Sequence, residues 1–283
     1  MTNVAAALAD ARARGVASLD AQLLLARLLA TTRTRLIVHD ERMLAPAEWA
    51  RWSGWLERRL AGEPLAYLLG EKEFCGLLLE VDRGVLVPRP ETELLVEWAC
   101  ESLDALVPER STVAERKPLR VVDLGTGSGA IALALKRAHP AIEVTATDVS
   151  ASALAVARRN ADRLGLAIEF VEASWWQGLE GRRFDIAVAN PPYVAADDPH
   201  LGALRYEPTL ALTPGGDGLG ALRAIASGAA LALAPRGWLL VEHGFDQAAA
   251  VREMLGAAGL TGVETRRDLA GLERATGGRR APD

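Results

Sequence analysis

Asn190-Pro191-Pro192-Tyr193 joins a side-chain amide, two consecutive prolines and a phenol. The prolines fix φ and remove two N–H donors, so the Asn190 side-chain oxygen and the nearby carbonyls stand as stiff acceptors. A primary amide or an exocyclic amine carries two N–H donors that such acceptors could hold. The same four residues also suit a plain turn, because Asn-Pro is ordinary turn vocabulary. The run before them, Phe184-Asp185-Ile186-Ala187-Val188-Ala189, is short, apolar and partly β-branched, and it stops abruptly at the prolines. It reads as a buried strand with the tetrapeptide at its carboxyl end. Open α/β sheets bind ligands at that edge.

A second constellation lies upstream. Val121-Val122-Asp123-Leu124 reads as a strand, Gly125-Thr126-Gly127-Ser128-Gly129 as a turn and Ile131 to Arg137 as a helix. A glycine-rich turn lets backbone approach a ligand closely, and the helix start offers unpaired N–H groups. Asp148 closes the next strand, Ile142 to Thr147, about twenty residues past the turn, where a carboxylate accepts both hydroxyls of a ribose. The pair suits NAD as well as S-adenosylmethionine. Three features favour S-adenosylmethionine: the GxGxG spacing in place of the dinucleotide GxGxxG, Asp123 ahead of the glycines, and the Asn-Pro-Pro-Tyr ending of the fourth strand.

The elements that must carry these residues follow a clear order. From Val4 to about Gly70, leucines and alanines recur at helical spacing, with Ser18 and Thr34 as caps, Pro46 as a helix start and Gly15, Gly62 and Gly70 as stops. A small bundle of helices is predicted. Trp49, Trp52 and Trp55 share one helical face, which suits core packing or a protein-docking surface. Between Glu73 and Val87 the period shifts toward two, and a β-hairpin turning at Asp82-Arg83-Gly84 is expected. Arg89-Pro90-Glu91-Thr92-Glu93 then opens a helix, and the proline-bracketed stretch Val107 to Pro118 reads as a loop. From Arg120 onward strands and helices alternate, the pattern of a parallel sheet covered on both faces. The third strand is Ile168 to Val171. Asp197 to Gly218 reads as a lid or binding loop. Helix Leu219 to Leu233, strand Trp238 to Glu242, helix Phe245 to Ala258 and strands near Val263 and Leu272 complete the domain. The expected division is residues 1–72, a hairpin over 73–89 and a main domain over 90–283.

Composition narrows the class. The 283 residues are 50% hydrophobic and 24% charged with a net charge of −5, the profile of a folded chain without a polyanion-binding surface. Cys75 and Cys100 are too few for a disulfide framework and lack zinc-site spacing, so no metal is expected and a reducing compartment, the cytoplasm, is the simpler reading. No run reaches membrane-spanning length, so no membrane partner is expected.

The chain closely resembles the peptide chain release factor N5-glutamine methyltransferases (PrmC/HemK) nearly end to end. The resemblance rests on Pro64-Leu65-Ala66-Tyr67-Leu68-Leu69-Gly70, Val85-Leu86-Val87-Pro88-Arg89-Pro90-Glu91-Thr92-Glu93, the segment Asp123 to Leu133, Asn190-Pro191-Pro192-Tyr193, Tyr206-Glu207-Pro208 and Gly215-Gly216-Asp217-Gly218-Leu219. Asn-Pro-Pro-Tyr is shared with adenine N6-methyltransferases; the Arg-Pro-Glu-Thr-Glu segment behind a helical domain discriminates better. The resemblance implies a Rossmann-like α/β methyltransferase fold with a small N-terminal helical domain joined by a β-hairpin. It implies S-adenosyl-L-methionine as cofactor, held by Gly125, Thr126, Gly127, Ser128, Gly129, Asp148, Trp175 and Asn190. The implied substrate is the glutamine of the Gly-Gly-Gln loop in class I release factors. Asn190 and the Pro191 carbonyl would accept its amide N–H groups, with Pro192 excluding water and Tyr193 packing on the flat amide. Ala173-Ser174-Trp175-Trp176 departs from relatives that carry Ser-Asp before the aromatic pair. No nucleic acid is expected as a direct partner, and His243 has no assigned role. The rival readings are an adenine N6-methyltransferase acting on DNA or RNA and a non-catalytic cofactor-binding adaptor.

Overall fold

The computed structural model describes residues 2–109 and 117–282. The central part of the loop expected over Val107 to Pro118 lies outside the described residues. The chain divides into two compact units, Met1–Glu71 and Lys72–Asp283.

The first unit holds α1 (Val4–Ala13), α2 (Ser18–Leu28), α3 (Arg33–Val38), α4 (Pro46–Leu60) and α5 (Leu65–Leu69). Local chemistry sets its boundaries. Asn3 accepts the Ala6 N–H at the start of α1, and Thr32, rather than the expected Thr34, accepts the Arg35 N–H at the start of α3. Gly70, at φ +75°, ends α5 in the left-handed region that favours glycine. Leu24, Leu25, Leu36 and Leu56 pack around Trp52, which is fully buried, while Trp49 and Trp55 lie half-buried at the rim of the same core. Core packing therefore accounts for the central tryptophan of the three.

The second unit opens on a hairpin of β1 (Glu71–Phe74) and β2 (Leu77–Glu80). Its turn is Cys75-Gly76, with φ +47° and +74°, and not the expected Asp82-Arg83-Gly84. Val85 to Val87 forms no strand: the Val87 N–H donates to the buried Glu207 carboxylate at 3.1 Å, and Pro88 and Pro90 offer no donors to a neighbour. A 3₁₀ turn at Pro90–Thr92 then leads into α6 (Glu93–Glu109).

The rest is a seven-stranded sheet. Its strands are β3 (Arg120–Leu124), β4 (Glu143–Asp148), β5 (Glu169–Glu172), β6 (Phe184–Ala189), β7 (Leu233–Glu242), β8 (Leu260–Arg267) and β9 (Glu273–Arg280). They lie in the order β5-β4-β3-β6-β7-β9-β8. All neighbours from β5 to β7 run parallel, and β9 runs antiparallel to β7 and β8. The helices are α7 (Ala130–Ala138), α8 (Ala151–Leu164), α9 (Thr209–Leu212), α10 (Gly220–Ala232) and α11 (Ala248–Ala257). Alternation along the strands builds two cores: Val121, Ile186, Val188 and Leu240 face the layer containing α6 and α7, and Val122, Ala187, Leu239 and Val241 face the layer of α10 and α11.

Two consequences of this topology position the site. The chain winds from β3 outward to β5, then returns to β6 on the other side of β3, which makes the β3/β6 boundary the switch point where α/β sheets open a crevice. The register also aligns the strand ends: Leu124 pairs with Thr147 and Ala189, and Ala189 with Val241. One residue further on, Gly125, Asp148, Asn190 and Glu242 emerge side by side.

Candidate active site

The glycine turn is built by hydrogen bonds on both sides. Gly125 and Thr126 donate backbone N–H groups to the Thr147 carbonyl at 2.9 and 2.8 Å, and Gly129 donates to Thr126. Beneath the turn, Asp123 is fully buried; its Oδ2 accepts the Thr126 hydroxyl at 2.6 Å and the Ala132 N–H at 3.1 Å. Burial pushes the Asp123 carboxyl up to about 7 against the pull of those two donors. Asn160 of α8, also fully buried, donates to the Ser128 carbonyl at 2.9 Å and to the Glu80 carbonyl at 3.0 Å, and accepts the Glu80 N–H. One side chain thus pins both the hairpin and the turn.

Gly125, Thr126, Gly127 and Ser128 line a cavity of about 460 Å³ together with Asp148, Ser174, Trp175, Asn190 and Pro192. Phe74, Leu86, Arg89, Thr92 and Leu210 also belong to its wall. At Gly125, φ is +77° and a Cβ would stand 3.3 Å from the Trp175 ring. The absent side chain lets the indole close over the turn, and Trp175 itself adopts a left-handed φ of +52°. Asp148 accepts the Gly127 N–H through Oδ2 and the Ser150 N–H through Oδ1, each at 2.9 Å. Burial raises its pKa and these donors oppose the rise. A fixed carboxylate, a flat ring and an exposed run of backbone around one cavity fit a nucleoside carrying an amino-acid tail.

Asn190 sits at the other side of the cavity. Its Nδ2 donates to the Thr92 hydroxyl at 3.0 Å, so the amide nitrogen is engaged and Oδ1 is the free acceptor. Pro192 lines the cavity with it, whereas Pro191 is buried and, like Gly129 and Tyr193, is not part of the wall. The Tyr193 hydroxyl donates to Glu242 Oε1 at 3.2 Å, and the Tyr193 carbonyl accepts from Gln247 Nε2 at 2.9 Å. Burial and the Glu242 charge push the Tyr193 phenol well above its ordinary pKa. Glu242 is 1% exposed, and burial pushes it up to about 7. His243 is buried, its ring nitrogens against the Gly244 carbonyl and the Thr276 hydroxyl, away from the cavity.

The structure therefore gathers the glycine turn, Asp148, Trp175, Asn190 and Pro192, and sets Tyr193 behind them as a support. Sequence reasoning gave no role to Thr92 or Glu242. Thr92 stands in the Arg-Pro-Glu-Thr-Glu segment, and Glu242 is an acid ending an apolar strand at the ligand-binding edge, which is the signal that could have found it.

The fold, the switch-point cavity and the glycine turn with its partner carboxylate define an S-adenosylmethionine-dependent methyltransferase. Residues 108–216 match the family model for the methyltransferase small domain, and residues 1–70 match the model for the PrmC N-terminal domain. A release factor glutamine methyltransferase of Bordetella pertussis is 48% identical over 267 residues, covering 93% of this chain and 95% of that protein. One of Burkholderia pseudomallei is 48% identical over 277 residues, covering 95% of this chain and 94% of that protein. Among solved structures, the hMettl16 catalytic domain superposes with a TM-score of 0.57 at 16% identity, covering 86% of this chain and 85% of that one, a likeness of fold. The chain belongs to the release factor glutamine methyltransferase family.

Proposed function

We propose that this chain methylates the side-chain amide nitrogen, N5, of the glutamine in the Gly-Gly-Gln loop of class I release factors, acting in the cytoplasm. The observation that carries the reading is the hydrogen bond from Asn190 to Thr92, which leaves Asn190 Oδ1 as an oriented acceptor at the lip of the cavity. When bound, S-adenosylmethionine supplies an electrophilic methyl group. Gly125 to Gly129 would hold its amino-acid end, Asp148 its ribose and Trp175 its base.

A carboxamide nitrogen is a poor nucleophile because its lone pair is delocalised into the carbonyl. Placement therefore matters more than a general base. Asn190 Oδ1 accepts one N–H of the substrate amide, which orients the nitrogen and raises its electron density. Pro192 excludes water from the reacting face. Tyr193 holds the turn rigid through Glu242 and Gln247.

Asn190→Ala is expected to lower kcat by orders of magnitude while cofactor affinity stays within about tenfold. Single-turnover methylation beside calorimetry of cofactor binding measures both, and near-normal turnover refutes the assignment. Methyl transfer onto a purified release factor, with the Gly-Gly-Gln glutamine intact or replaced, tests the acceptor: equal labelling of both overturns it.

A further inference from the structure

The orientation of the Asn190 amide is set by groups behind it. Thr92 is 5% exposed and receives the Asn190 Nδ2–H at 3.0 Å. A hydroxyl has one proton to give, and the Glu242 carboxylate is buried beyond it: Oε1 takes the Tyr193 hydroxyl, Oε2 is enclosed with no other partner among the described residues, and the Thr92 side chain is close enough to act on that charge as a donor. The Arg274 guanidinium acts on the Tyr193 oxygen as a nearby positive donor, and the phenol proton goes to Glu242 Oε1. With Glu242 ionised, Thr92 must donate to the carboxylate, so its lone pair faces Asn190 and only the NH₂ end of that amide can satisfy it. Oδ1 is then the end turned to the substrate.

We propose that Thr92 and Glu242 are positioning residues for the methyl transfer: the Glu242 carboxylate sets the direction of a hydrogen-bond chain through Thr92 that holds Asn190 with its oxygen toward the substrate amide. A proton on Glu242 reverses the chain. The acid then donates to Thr92, Thr92 donates to Asn190 Oδ1, and the flipped amide meets the substrate NH₂ with its own NH₂, donor against donor. The ionised and neutral forms interconvert near neutrality. Burial raises the Glu242 pKa to about 7, assisted by Glu91, while Thr92, Tyr193 and Arg274 oppose the rise; Arg274 is itself held by Asp268.

This inference rests on the role assigned to Asn190, and the test separates the two. Wild type, Thr92→Ser, Thr92→Val and Asn190→Ala, all as full chains, are assayed on an intact release factor at saturating cofactor, from about pH 6 to about pH 8.5. The wild-type single-turnover rate should rise with pH through about 7 and then level. Thr92→Ser should stay within about threefold of wild type and keep that arm, because it keeps the hydroxyl. Thr92→Val, nearly the same shape, should be slower by about 100-fold with no arm near neutrality. Its cofactor affinity by calorimetry should match wild type, showing that the site is folded. A Thr92→Val enzyme with wild-type rate and pH profile overturns the proposal, as does Thr92→Ser failing as badly as Thr92→Val, or a wild-type rate that is flat with pH. If Asn190→Ala is slow while Thr92→Val is not, the chain through Thr92 alone falls; if Asn190→Ala turns over normally, the reading of Asn190 falls with it.

Discussion

Replacing Gly218 with alanine tests how tightly the long loop is clamped against the Asn-Pro-Pro-Tyr turn. A Cβ there would lie 2.4 Å from the Tyr193 carbonyl oxygen and 3.1 Å from both the Ala195 nitrogen and Gln247 Nε2. Two of those atoms are backbone, so no side chain can swing aside. The position also has φ +78°. The left-handed conformation costs alanine about 1–2 kcal/mol, and overpacking against fixed atoms adds about 1–3 kcal/mol. A total of about 3 kcal/mol corresponds to a fall in melting temperature of about 6–12 °C for a unit of this size. Gly216 supplies the control, because its φ is +55° but a Cβ there meets nothing within 4 Å. Gly216→Ala should carry the conformational part alone. Thermal melts of the three proteins read the difference, and single-turnover methylation reads its effect on the turn: relief of the clash pushes Tyr193 and breaks its bond from Gln247, so Gly218→Ala should also slow turnover where Gly216→Ala does not. Equal melting temperatures for the two variants would refute the clamp.

Two further outcomes are expected. Asp148→Asn should weaken cofactor binding by about 10- to 100-fold, since a neutral amide replaces a charged acceptor; calorimetry checks this, and unchanged affinity would remove Asp148 from the cofactor site. Glu242 has a folded pKa of about 7 against an ordinary 4.5, so the stability it lends is full below 4.5 and is lost as pH rises through about 7. At about 1.4 kcal/mol per pH unit, Glu242→Gln should remove a burden of about 3 kcal/mol, raising the melting temperature relative to wild type at alkaline pH and leaving it unchanged at acid pH. A gap independent of pH would contradict this.

The parts of the molecule that were readable in the chain are those whose constraints are local. Gly125 to Gly129, Asp148 and Asn190 each stand at a strand end marked by a change of hydrophobic period or a proline, and the register brings those ends together. What escaped depends on contacts distant in sequence. A strand was expected near Leu272, but the extent of β9 to Arg280 was not legible, because it carries few apolar residues where Trp98, on α6, fills the space over it: a Cβ on Gly277 would come within 2.7 Å of that indole. The hairpin turn was misplaced because Asp82-Arg83-Gly84 is better turn chemistry than Cys75-Gly76, and only the bond from Val87 to Glu207, remote in the chain, shows that Val85 to Val87 has another partner. Thr92 and Asn190 are likewise brought together only by the fold, with Glu242 behind them, so no spacing announces the chain that orients the reactive amide.

Asn160 changes where the catalytic half of the molecule begins. The matched methyltransferase region starts at residue 108, yet this wholly enclosed amide spends its hydrogen bonds on Glu80 and on Ser128 together. A fragment cut just ahead of β3 would take away both of the bonds Asn160 makes to Glu80, leaving it Ser128 and Arg163, and would loosen the loop that grips the nucleoside's tail. By this measure the hairpin is the first course of the catalytic masonry rather than a tether leading up to it.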